Sequence, residues 1–335
     1  MFAALNAFQA GGAIPVNISE VFSTTLYTGN GSTQTITNNI DVSTKGGLIW
    51  AKARSGTFST VDHLLQDSAR GFGDSTGLAS STTSAQFSYS GLIQSVSSTG
   101  FTTGSNPFSN AASTNYVAWT FRKQPKFFDI VTYTGNGTTQ NIAHSLGGAV
   151  GCIIVKRTDA IENWGVYHRS IGATGALRLN LTSATSTLTA YWNNTEPTST
   201  VFTVGSNSQG NENGGTYVAY IFAHDAGGFV GGNAISCGSY AGSASNVDIN
   251  LGYQVQWVLV KNITNSSNWQ ILDVTRGMPS TGSAFTLAPN LSDAENSLTA
   301  PVIIATATGM TITGSVGNAI NSAGSNYIYI AIKAS

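Results

Sequence analysis

The stretch "LYTGNGSTQTI" at residues 26–36 returns almost letter for letter as "TYTGNGTTQNI" at 132–142, and a third, altered form, "SYAGSASNVDI", lies at 239–249. Tyr27, Tyr133 and Tyr240 head the three copies, about 106 residues apart. Four further landmarks follow each copy in the same order. The first is an apolar run closed by a lysine: "GGLIWAKARS" (46–55), "GCIIVKRTDA" (151–160) and "VQWVLVKNIT" (255–264), with Lys52, Lys156 and Lys261. Next comes a Trp- or Leu-bearing strand near an arginine, in "VDHLLQDSARG", "NWGVYHRS" and "NWQILDVTRG". In these, Trp164 aligns with Trp269 and Arg70 with Arg276, with Arg169 as the approximate counterpart. A Gly-Phe-type element follows: Gly100–Gly104, "VFTVG" and "GMTITG". Each unit closes on a striped strand, "TNYVAWTF", "GTYVAYIF" or "SNYIYIAI", aligned at Tyr116, Tyr217 and Tyr327. Solenoid and propeller repeats run 20–50 residues, so a unit of this length reads as a whole domain.

Within each unit, short runs of Val, Ile, Thr and aromatics alternate with Gly, Asn and Ser turns every 8 to 12 residues, the pattern of a sandwich or barrel. The expected fold is all-β: three tandem β-sandwich domains, jelly-roll or lectin-like, of about 105 residues each. Seven to nine strands are expected per unit, with its first and last strands paired. The boundaries fall at 1–24 (an N-terminal arm), 25–126, 127–230 and 231–335, the last unit being degenerate. The arm is expected to dock on another protein, with a strand tucked on the first domain as the alternative. The junction at 122–131 carries Phe127 and Phe128 and should pack, whereas the Gly-rich junction at 223–236 should bend.

Charged residues make up 9% of the chain, against roughly 25% in a typical globular protein. Ser, Thr, Asn and Gly must therefore cover the surface. Lys plus Arg number 14 and Asp plus Glu 15, with no basic stripe, so nucleic acid is not an expected partner. The N-terminus lacks a positive n-region and does not read as a signal peptide. No run of 18 apolar residues is present, so membrane insertion is not expected.

Chemistry-bearing motifs are sparse. His63, His144, His168 and His224 show no metal-ligand spacing, and Cys152 sits in a buried-strand pattern, so neither a metal nor a cofactor is expected. "GNGST" lacks the Gly-Lys-Ser/Thr ending of a phosphate loop and reads as a tight turn. Candidate carboxylates for glycan hydrolysis (Asp62, Asp67, Glu162, Glu196, Asp273) do not recur across the units, and no catalytic residue is assigned. Asp67 and Asp273 each precede an arginine by three positions, a spacing that suits a loop brace. One ligand-site candidate remains: Tyr191, Trp192, Asn193 and Asn194 in "LTAYWNNTEPT" set two rings beside two amides, the groups that stack on and hydrogen-bond a sugar.

The arrangement carried by "EVFSTTLYTGNGSTQTI" (20–36), "NYVAWTFRKQPKFFDIVTYTGNGTTQ" (115–140) and "GTYVAYIFAHD" (215–225) resembles tandem repeats in structural proteins of tailed bacteriophages, marine and cyanobacterial ones especially. The resemblance covers residues 21 to about 332 and departs where "AGSAS" replaces the Thr-Gly-Asn-Gly turn. It implies a virion location, no catalysis and a tail-associated role as a tail fibre or tail-tip component, with distal domains facing a host surface glycan. The arm would then contact other virion proteins, and a homotrimer is the favoured assembly. A capsid decoration (cement) protein and a carbohydrate-binding module are the alternatives.

Overall fold

Strands that read as apolar at every position, rather than at every second one, are buried on both faces. "GLIWAKA", "YVAWTF" and "VQWVLVK" are such strands, and they fix the architecture. The computed structural model describes residues 15–278, 284–298, 300, 302–314 and 319–335. It is all-β, with antiparallel sheets and a few one-turn helices.

Repeat one holds β1 (Phe22–Thr28), β2 (Gln34–Thr37), α1 (Val42–Lys45), β3 (Gly47–Ser55) and β4 (Leu64–Asp67). It continues with β5 (Leu78–Ala79), β6 (Ile93–Val96), β7 (Gly100–Thr103) and β8 (Asn115–Arg122). The large sheet runs β1-β8-β3-β4-β5 and the small one β2-β7-β6. Repeat two holds β9 (Phe128–Thr134), β10 (Gln140–Ala143), β11 (Val150–Arg157), β12 (Gly165–His168) and β13 (Gly175–Arg178). After them come β14 (Ser186–Thr187), α2 (Thr189–Trp192), β15 (Val201–Val204), α3 (Ser208–Asn211) and β16 (Thr216–Ala223). Its sheets run β14-β13-β12-β11-β16-β9 and β10-β15. Repeat three holds β17 (Ile235–Ala241), β18 (Val247–Asn250), β19 (Val255–Asn262), β20 (Gln270–Asp273) and β21 (Ala284–Thr286). Then follow β22 (Asn296–Leu298), β23 (Ile303–Thr306), β24 (Gly309–Ile312) and β25 (Asn326–Lys333), giving sheets β17-β25-β19-β20, β18-β24-β23 and β21-β22. In each repeat the first and last strands pair, with Tyr27 opposite Tyr116, Tyr133 opposite Tyr217 and Tyr240 opposite Tyr327.

Alternate residues of the central strands serve two different cores. On β3 and β8, Ile49, Ala51 and Ala118 meet Ile36, Ile93 and Phe101 of the small sheet, closing a sandwich. Leu48, Trp50, Val117, Trp119 and Phe121 point the other way, into a core shared by all three repeats. β19 and β25 divide likewise: Val258, Val260 and Ala331 face repeat three's sandwich, while Trp257, Leu259, Ile328, Ile330 and Ile332 face the shared core. At the centre of that core Phe22 and Phe121 of repeat one, Phe128 and Phe222 of repeat two, and Trp257 of repeat three pack at ring distances of 5.0–6.1 Å. Full burial of each such side chain stabilises by roughly 2–3 kcal/mol. The three large sheets thus surround one axis, and the repeats do not have wholly separate cores.

Residues 15–24 are not a free arm. Val16 hydrogen-bonds to Gly228 and Val230 in the second junction, Ile18 and Val21 are buried, and Phe22 already belongs to β1. Apolar Val16, Ile18, Val21 and Phe22 are better buried than left in water, which overrides the expected docking for these positions; residues 1–14 of that segment lie outside the described residues. The second junction does not bend freely either. Phe229 is buried against Phe127, and Asp225 N–H donates to Ile235 O. The entry of the chain, both junctions and the last strand's end therefore gather at one end of the axis, and the three Tyr-Thr-Gly-type turns lie at the other.

Those turns share a clamp that the sequence motif conceals. Asn110 accepts from Asn30 N–H at 2.9 Å and donates to Gly104 O at 2.7 Å and to Ser32 O. Asn211 repeats this with Asn136, Gly205 and Thr138, and Asn321 with Ser243, Thr313 and Ser245. The altered third turn keeps the geometry because Ser243 Oγ accepts from Ser245 N–H, as Asn30 Oδ1 does from Ser32 N–H. The turn glycine is required by space: a Cβ on Gly29, Gly135 or Gly242 would sit 2.1–2.2 Å from a carbonyl oxygen of the facing loop. Beside each clamp the paired tyrosines stack, with centroids at 5.2, 5.0 and 5.0 Å. Asn211→Ala should cost about 2–4 kcal/mol in urea unfolding, since it strips partners from buried carbonyls. Asn136→Ser should cost under about 1 kcal/mol, because serine already fills that place in repeat three.

Candidate functional site

Most polar side chains that could do chemistry lie in the three seams between repeats, and the seams are equivalent. At the first, Lys156 Nζ donates to Thr83 O of repeat one at 3.1 Å and to Glu162 O at 2.8 Å. At the second, Lys261 Nζ donates to Thr182 O of repeat two at 2.8 Å and to Ser267 O at 2.7 Å. At the third, Lys52 Nζ donates to Ser292 O of repeat three at 3.0 Å and to Ser59 O at 2.7 Å. The seams run one to two, two to three and three to one, so the ring closes. All three lysines are buried, which lowers each amine from its usual 10.5 to about 8.

The Trp-bearing strand supplies a second set. Trp164 Nε1 donates to Ala79 O of repeat one and Trp269 Nε1 to Arg178 O of repeat two, both at 3.0 Å. His63 takes the corresponding place in repeat one, accepting from Trp50 Nε1 at 3.0 Å and lying beside the Ala288 backbone. Burial, helped by the charges of Lys52 and Arg276, holds its pKa well below the usual value.

The last residue of that strand supplies a third set. Asp67 caps the turn to Arg70, binds its guanidinium, and accepts the Tyr220 hydroxyl of repeat two at 2.8 Å. Asp273 does the same for Arg276 and accepts Trp119 Nε1 of repeat one at 3.0 Å. In repeat two the places of aspartate and arginine go to His168 and Ile171, so Arg169 is not the counterpart the alignment suggested. Ser170 N–H donates to His168 Nδ1, which leaves the proton on Nε2, 3.1 Å from Tyr329 O of repeat three. Burial lowers this histidine to about 4. The Asp-x-x-Arg pairs thus brace turns, as their spacing suggested, and also receive the neighbouring repeat. The third seam adds Glu295, held by Arg54 across the seam at 2.7 Å and by Arg276 at 2.9 Å, with Arg276 over the Trp119 ring at 5.2 Å.

The sugar-site candidate is not an exposed platform. Tyr191 and Trp192 are each 1% exposed and lie in the one-turn helix α2, not in a loop. The Tyr191 ring packs over Gly165 and Gly210, where a Cβ would collide with it, and Trp192 packs edge-on against Tyr167 at 5.8 Å. Asn193 and Asn194 are exposed, but their left-handed backbone (φ 52° and 49°) marks them as the end of that helix, and Asn193 accepts from Thr139 Oγ1. Two large apolar rings gain more from burial than a loop would allow, and four residues are too few to show helical periodicity.

Both cysteines are buried, and burial pushes each thiol up from its usual value. Two open clefts, about 410 and 510 Å³, lie along seams and are lined mostly by hydroxyls, amides and backbone; they include Thr132, Thr158 and Thr216 in one and Ser23, Asn38 and Gln256 in the other. Among the described residues, no group of three or more His, Cys, Asp or Glu converges as a metal site.

A family model described as a domain of unknown function, DUF7483, matches residues 17–335, a span that takes in all three repeats. The chain belongs to the DUF7483 family. No curated protein matches it. In this DUF7483 chain the matched span takes in the whole ring.

A lysine whose pKa is depressed on folding weakens the folded state below that pKa, and the penalty is relieved as pH rises toward the unfolded value. The three seam lysines place that window between about 8 and 10.5. The stability of the wild type minus that of Lys156→Met should therefore rise by about 1–2 kcal/mol from pH 7.5 to 9.5. Urea midpoints at the two pH values check this; taking the difference cancels titration of thiols and tyrosines elsewhere.

Proposed function

We propose that this chain is a non-enzymatic structural protein of a bacteriophage virion, tail-associated as a fibre or tail-tip component. The observation that carries this reading is the closed ring, in which groups capable of chemistry are consumed as braces. Lys52, Lys156, Lys261, Asp67, Asp273, His63 and His168 are all buried in seams. A catalyst keeps such groups facing a substrate; a scaffold uses them to hold parts in register. The repeat signature adds the resemblance to tailed-phage structural proteins. The two unlike ends of the axis suit a part attached at one end and facing outward at the other, and Val16 lies at the end where the junctions gather. Deleting residues 1–14 should abolish incorporation into particles; normal incorporation of the folded variant would count against the attachment. Copy number per particle separates a tail role, at a handful to a few tens, from the alternative of capsid decoration, in the hundreds.

Internal threefold symmetry also bears on assembly. A homotrimer was expected, yet one chain already supplies three equivalent sandwiches around an axis, and its axial surface is filled. The purified protein should run as a monomer of 34.7 kDa by light scattering. A species of three times that mass would be the homotrimer that the resemblance implies.

A further inference from the structure

Tyr89 breaks the pattern followed by the other tyrosines. Of the twelve in the chain it alone is exposed, at 51%, while the other eleven are buried or half-buried. Its ring is not loose. It stacks on Phe108 at 5.9 Å with the planes 20° apart, and Phe87 packs against both, at 5.1 and 5.2 Å. The loop beneath is pinned from several sides. Phe87 and Gly77 exchange both backbone hydrogen bonds, and Tyr89 N–H donates to Asp74 O at 2.8 Å. Gly91 N–H donates to Asp74 Oδ1 at 2.9 Å, and Asn106 Nδ2 donates to Ser90 O at 2.9 Å. A rigid aromatic surface thus stands on repeat one beside the first seam, where the neighbouring Gln86 N–H donates to Thr158 O of repeat two at 2.8 Å. Its border is polar and exposed: Ser88, Ser90, Gln94 and the carboxylate of Asp74, whose pKa is held below the usual carboxylate range chiefly by the Gln94 amide. The corresponding loop of repeat two folds instead into α2, with its rings turned inward.

We propose that Tyr89, Phe108 and Phe87 form a binding platform for a neutral pyranose. Three features select that ligand. An immobilised ring face matches the flat C–H face of a sugar, and holding the ring in advance reduces the entropic cost of ordering it. The carboxylate and amide at the border match sugar hydroxyls, which donate to the first and exchange hydrogen bonds with the second. The carboxylate repels an anionic sugar, which leaves neutral ones. A protein partner fits less well: a stable interface needs about 800 Å² per side, and three partly covered rings offer a few hundred at most. The platform differs from the residues 191–194 considered from sequence, and it stands whether or not the chain belongs to a virion, because its test uses purified protein.

The test is saturation-transfer NMR with methyl β-galactopyranoside and methyl β-glucopyranoside, at up to about 50 mM, on the full chain. Millimolar binding of at least one is expected. Tyr89→Ala should weaken it at least about tenfold, Asp74→Asn should weaken it several-fold, and Tyr89→Phe should retain most of it. Because Tyr89 is a surface residue, its variants should melt within a degree or two of the wild type, and the melting curves are recorded alongside. Binding of neither glycoside, or binding unchanged in a folded Tyr89→Ala variant, would overturn the proposal. Stronger binding of methyl α-sialoside than of either neutral probe would do so too.

Discussion

Double-sided burial of the central strands is the constraint on which the rest of the molecule depends. A strand with one wet face alternates apolar with polar; β3, β8, β11, β16, β19 and β25 do not, because one face closes a sandwich and the other meets the axis. Once both faces are dry, each sandwich on its own would expose a row of aromatics, Phe121 and Trp119 in repeat one for example, to water. Three sandwiches sharing one axial core remove that exposure. The low charge content follows from the same fact, since so many strand positions have no solvent to face. Lys52, Lys156 and Lys261 are the exceptions that show the cost: each sits at the end of an axial face, where carbonyls of two repeats converge on its ammonium group. A buried cation is tolerated there because its hydrogen bonds are supplied by protein.

Much of the fold could be read from the chain. Turn residues and short Val, Ile and Thr runs announced β-sandwiches, and repetition of Tyr27, Tyr133 and Tyr240 announced how many. The pairing of first with last strands fitted the repeat order, but it took the structure to show it. The ring could not, because the signal for it, an uninterrupted apolar strand, fits any buried sheet and names no partner. The Asn clamp escaped for a different reason. Asn110, Asn211 and Asn321 each precede an aligned tyrosine by six residues, a spacing visible in the sequence, but asparagine in a turn-rich chain looks like one more turn residue until its amide is seen spanning three backbone groups. His63 was hidden by chemistry: it occupies the place of Trp164 and Trp269, and alignment by residue type does not pair an imidazole with an indole. Tyr191 and Trp192 misled in the opposite sense, since an aromatic pair beside two asparagines has the composition of a binding loop and, here, the burial of a core. Tyr89, the ring that does face solvent, lies in a Ser-rich stretch that carried no motif.

The three seams are equivalent in geometry but not in chemistry, and the difference follows the covalent connections. Repeats one and two, and two and three, are joined by short junctions that hold each pair close, so their seams need little further help to form. The seam between repeats two and three has His168, Ile171 and Thr185 where the first has Asp67, Arg70 and Gln86. Repeats three and one have no such link, and their seam carries the densest ionic network: Arg54 and Arg276 on Glu295, Arg276 on Asp273, and Trp119 beneath the guanidinium. Buried ion pairs add little net stability over apolar packing, but they penalise misregister heavily, because a shifted partner strands a charge. They are most numerous where chain connectivity does not enforce the register, while the first seam keeps the single pair of Asp67 with Arg70. The ring is closed by specificity at one seam and by covalent proximity at the other two, and the axial aromatics provide the bulk of the adhesion for all three.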